Sequence, residues 1–169
     1  MSGAYLLLLF LTGTAAVFDI RSQKIPNLLI ITGGLLGFSY QFSGGGWSGG
    51  CAYFSGVFLT MLLPGLLYVF RMIGAGDVKL LGVIGGFLGP ADGFRFMIFT
   101  FLVGGVISAA LLIQRRNLFS RFFYLKTYIS QYLQTREWSP YRKEGCEDGY
   151  LHFSVPTLIS LICFLGGVY

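Results

Sequence analysis

The chain has 169 residues, of which 54% are hydrophobic and only 11% charged, with a net charge of +5 and a mean hydropathy of +0.71. Soluble domains carry about a quarter charged residues, so this balance excludes an ordinary soluble enzyme and places any cleft between helices in a bilayer. The basic residues flank the apolar runs as topology signals do, which argues against a nucleic-acid partner.

The first apolar run, 3–20, follows Met1-Ser2-Gly3-Ala4-Tyr5, which lacks the basic stretch of a secretory signal peptide, so a retained membrane helix is expected. It leads into Phe18-Asp19-Ile20-Arg21-Ser22-Gln23-Lys24-Ile25-Pro26-Asn27. A short second span covers 27–42, and the glycine-rich stretch Ser43 to Gly50 reads as a flexible external turn with Trp47 suited to the headgroup region. The third span is 52–70, and the fourth, 74–91, opens on Gly74-Ala75-Gly76-Asp77-Val78-Lys79. The fifth is 94–113 and the sixth 151–169. Between these last two, Leu118, Phe122, Leu125, Ile129 and Tyr132 recur at helical spacing. That stripe predicts an interfacial helix within 114–150, ahead of a substrate-docking role. The expected fold is all-α: a polytopic membrane protein of about six transmembrane helices, one embedded domain over 1–169.

Glycine pairs inside the spans (Gly33-Gly34, Gly85-Gly86, Gly104-Gly105) fit either close helix contact or bending. Eleven basic residues fall on the side of 21–26, 71–79 and 114–150, against Arg95 alone on the other. By the positive-inside rule that side is the cytoplasm. Cys51, Cys146 and Cys163 are scattered, with no CxxC and no Cys/His cluster, so neither a metal site nor a disulfide framework is expected. The sole histidine, His152, reads as an interfacial side chain.

Asp19 and Asp77 carry the chemical argument. A carboxylate at the edge of a hydrocarbon span is expensive to keep, and its default reading is functional. A helix from Gly3 puts Asp19 about 24 Å along its axis, near the inner edge of the hydrocarbon. Asp77, in the first turn of the fourth span, lies at the same edge. Two close carboxylates do not readily both ionise and so share a proton. The ionised member can activate water while its partner polarises a carbonyl and protonates a departing amine. Gly74 and Gly76 clear space for close approach of an extended substrate. Lys79 reads either as a group tuning Asp77 or as a topology flank. Each motif alone is weak: Asp77 can simply favour the positive end of a helix, and Asp19 can pair with Arg21 or Lys24.

Taken together, these segments resemble the type IV prepilin peptidases, the GxGD class of membrane aspartyl proteases. Asp19-Ile20-Arg21 with Ile25-Pro26-Asn27 is similar to that family's first catalytic segment, and Gly74 to Leu81 to its second. Phe153-Ser154-Val155-Pro156 resembles a weaker proline-containing motif near the family's C-terminus. The resemblance implies Asp19 and Asp77 as the catalytic pair. It implies prepilin or pseudopilin precursors as substrates, cut on the cytoplasmic side of the membrane, and pilus or secretion machinery as partners. The chain lacks the CxxC-bearing cytoplasmic insert of many members and so resembles the compact peptidase-only form, with no cofactor and no methyltransferase activity expected. A proton-coupled carrier and a noncatalytic assembly subunit are the alternatives for the same carboxylates.

Overall fold

The computed structural model describes residues 2–70, 72–114 and 153–167. Among these residues every regular element is helical: α1 (Ser2–Ser22), α2 (Asn27–Val69), α3 (Ala75–Leu88), α4 (Pro90–Gln114) and α5 (Ser154–Leu165). The expected interfacial helix within 114–150, together with Cys146 and His152, lies outside the described residues. The chain forms two compact units, Met1–Gly104 with His152–Tyr169, and Gly105–Leu151. Of the second unit only the last turns of α4 are described.

α1 stops at a tight corner. Gln23 takes φ 53, and its N–H donates to the Asp19 carbonyl at 2.8 Å. Pro26 restarts the helix, its carbonyl accepting from the N–H groups of Leu29 and Ile30 at 3.1 and 3.4 Å. A left-handed backbone is unfavourable for any residue with a Cβ. Gln23→Gly is therefore expected to raise stability by about 1 kcal/mol, seen as a higher thermal midpoint in detergent.

α2 has 43 residues, about 65 Å if straight and twice what a bilayer needs. Gly46, at φ 56 and ψ −133, folds it into two arms instead. The Tyr53 hydroxyl donates to the Gly34 carbonyl at 2.9 Å, although 19 residues of continuous helix would separate them by about 28 Å. Phe38 lies 5.6–5.7 Å, ring to ring, from Phe42, Tyr53 and Phe54, closing the hairpin. The flexible turn expected over Ser43–Gly50 is thus helical except at Gly46. A Cβ on Gly49 would collide with the Gln41 carbonyl, so the glycine serves close backbone contact.

α3 is short. Gly89, at φ 82, ends it, and Pro90 opens α4 in the position where a missing N–H costs least. The expected span 74–91 ran through this Gly-Pro break because both sides are equally apolar. Six helical segments result among the described residues, α2 supplying two. Among the described residues only α1, α2 and α4 have the length and apolarity to cross a membrane. At 14 and 12 residues, α3 and α5 extend about 21 and 18 Å, less than a hydrocarbon core. Three full spans, and not the expected six, are thus identified among the described residues.

The core is built on α3, whose Leu80, Leu81, Val83, Ile84 and Phe87 are buried with Leu8, Leu11 and Ala15 of α1, Phe96 of α4 and Leu161 of α5. A helix buried on nearly every side has no solvent stripe to keep polar. Large apolar side chains outside this core, among them Leu6, Phe10, Leu35, Phe54, Phe58 and Leu62, are exposed. Such a surface suits lipid rather than water.

Candidate active site

One end of the first unit gathers the last turn of α1 and the first turns of α3 and α5. Helix N-termini present backbone N–H groups and partial positive charge, so α3 and α5 both favour anionic groups there. Asp19 comes from α1 and is buried. The Ser154 hydroxyl, at the start of α5, donates to its Oδ2 at 2.5 Å.

Asp77 is the third residue of α3 after its N-cap, Gly74. From there its carboxylate reaches back to the Gly74 backbone N–H, the reciprocal half of a helix-capping arrangement. Its Oδ1 is buried with no hydrogen-bond partner among the described residues. Asp19 is close enough for its charge to act on the Asp77 carboxyl. A buried carboxyl oxygen without a donor costs about 1–3 kcal/mol and calls for a chemical reason. Two carboxyl groups that interact electrostatically can share a proton.

The other sequence-derived residues have structural contacts of their own. Gly74 takes extended backbone angles and is exposed; a Cβ there would stand 3.1 Å from Asp77 Oδ2. At Gly76 a Cβ would meet Ile25 at 3.2 Å, so this glycine lets the 23–26 corner lie against the first turn of α3. Lys79 donates from Nζ to Asn27 Oδ1 at 3.1 Å. Ile25 and Asn27, two of the three residues of the Ile25-Pro26-Asn27 triplet, thereby tie the two aspartate segments together. Sequence reasoning gave them no such role, and it gave none to Ser154. Each belongs to a motif already singled out, but motif membership does not say which helix ends meet. Among the described residues no cluster of three metal-ligating side chains occurs.

Further along, α3 is locked to α2 by missing side chains. A Cβ on Gly85 would collide with Thr60, one on Gly56 with the Gly85 carbonyl, and one on Gly82 would lie 2.7 Å from Met61. Gln41 closes the far end, donating from Nε2 to the Phe87 carbonyl at 2.9 Å. The glycine pairs at 33–34 and 85–86 thus serve close contact, not bending. Asp77 stands at the mouth of a helix that has little room to slide.

No curated protein and no solved structure matches the chain. A family model does, over residues 6–112, and that interval contains both aspartate segments and the whole of α3. On that match, the chain belongs to the type IV leader peptidase family.

Proposed function

We propose that the protein is an aspartic endopeptidase that removes the short basic leader of prepilin-like precursors at the cytoplasmic face of a prokaryotic membrane. Asp19 and Asp77 activate a water molecule between them; the protonated member polarises the scissile carbonyl and then protonates the departing amine. The observation that carries this reading is the buried Asp77 Oδ1, without a donor among the described residues, beside the Asp19 charge. Membership of a leader peptidase family supports the substrate class. Arg21, Lys24 and Lys79 near the same end support a cytoplasmic orientation. Across all six helical segments the protein is read as the compact, cofactor-free form, with prepilins or pseudopilins and their assembly machinery as partners.

The test is co-expression with a tagged prepilin, scoring leader removal by wild type beside Asp19→Asn and Asp77→Asn variants at equal abundance. Wild-type cleavage lost in both variants bears the proposal out. Cleavage that persists in either removes that aspartate from the pair.

Gly74, Gly76 and Lys79 shape the substrate side of the same mouth. Gly74→Ala pushes directly on Asp77 Oδ2, so it is expected to lower kcat about tenfold while leaving the thermal midpoint unchanged. Initial rates on a purified precursor, set beside a melting curve, check both halves of that expectation.

A further inference from the structure

The first turn of α5 is held in place by apolar contacts. Phe153 packs at a tilt of 49°, 5.3 Å ring to ring, against Phe101 of α4. Phe153 and Pro156 also close over Gly104, where a Cβ would meet them at 3.4 and 3.7 Å. The Thr157 hydroxyl donates to the Phe153 carbonyl at 2.8 Å, stiffening the same turn. Between these anchors stands one polar side chain, Ser154, with no exposed surface.

A serine at the start of a helix ordinarily serves its own helix, yet α5 has no side-chain cap. The Ser154 hydroxyl turns instead to Asp19, 135 residues earlier in the chain. The 2.5 Å separation is that of a hydroxyl donating to a carboxylate, the shorter and stronger class of hydrogen bond. An alanine or glycine would fill an apolar turn without burying a hydroxyl, which is expensive unless bonded. An aspartate side chain has two rotatable bonds, and pinning Oδ2 fixes where Oδ1 points.

We propose that Ser154 is a positioning residue for the water-activating pair: by holding Asp19 Oδ2 it orients the Asp19 carboxylate for catalysis. The inference rests on the aspartic peptidase reading. Ser154 itself touches no reacting atom.

The test measures kcat and KM, per folded enzyme, on a purified prepilin with the full chain in detergent. Wild type is set beside Asp19→Asn, Ser154→Ala, Ser154→Gly and Ser154→Thr. Alanine and glycine differ in volume but both lack the donor, so both are expected to lower kcat about 10- to 100-fold at unchanged KM. Threonine restores the hydroxyl and is expected to recover most of kcat. Wild-type kcat in Ser154→Ala, with Asp19→Asn inactive, overturns the positioning role and leaves the peptidase reading standing. So does a loss that differs between alanine and glycine or comes with a raised KM, since packing then explains it. An active Asp19→Asn removes the peptidase reading and this inference with it.

Discussion

Asp77→Asn is expected to lower the rate of leader cleavage by about 10²- to 10⁴-fold while the protein stays folded. The amide is nearly the same size as the carboxyl, and its oxygen can still accept from the Gly74 N–H. What it cannot do is exchange a proton with water or with the leaving amine. Asp19→Asn is expected to fall as far for the same reason, its amide oxygen still accepting from Ser154. Asp19→Ala separates structure from chemistry. It loses activity too, but leaves the buried Ser154 hydroxyl without this acceptor, adding about 1–3 kcal/mol of destabilisation. Single-turnover cleavage with melting curves on the four proteins distinguishes these outcomes. Asn variants keeping more than about a tenth of wild-type activity would contradict general acid–base work by the pair.

Gly56→Ala is expected to be among the most damaging small substitutions, costing about 3 kcal/mol. Its Cβ would strike the Gly85 carbonyl oxygen and stand 3.0 Å from the carbonyl carbons of Gly85 and Gly89. All of these are backbone atoms, which cannot rotate away as a side chain does. Only a shift of α3 away from α2 relieves the clash, and α3 carries Asp77. Gly65→Ala on the same arm is the control. A Cβ there has nothing within 4 Å, so helix propensity alone favours it by up to about 1 kcal/mol. Thermal midpoints in one detergent, with cleavage rates alongside, decide it. A Gly56→Ala protein as stable as Gly65→Ala would show that the α2–α3 contact is looser than described.

Asp19 and Asp77 were legible in the sequence because charge is rare here and both stand at the edges of apolar runs. Helical class and the corner at Gln23–Pro26 were legible for local reasons too, whereas the Gly89-Pro90 stop was missed because hydropathy averaging carried the fourth span past it. The glycine-rich stretch misled. Glycine's low helix propensity argued for a loop at 43–50, but the two arms of α2 approach so closely that only glycine fits at Gly49, and packing overrode propensity. The Ser154–Asp19 bond was out of reach for a different reason. It joins helices distant in sequence, and neither periodicity nor motif spacing reports which helix ends meet.

That long separation has a consequence for how the protein is made. α1 emerges from the ribosome before α5, with an aspartate that will be buried near its end, and its hydroxyl donor is synthesised 135 residues later. At about 5–20 residues per second, the delay is on the order of ten seconds. Throughout it, the first helix sits in or beside the membrane without the last. Insertion of α1 and the final bonding of its carboxylate are therefore separate events, and the arrival of α5 completes that contact. A chain stalled or cleaved before Ser154 would carry both aspartates and still lack the contact that orients one of them.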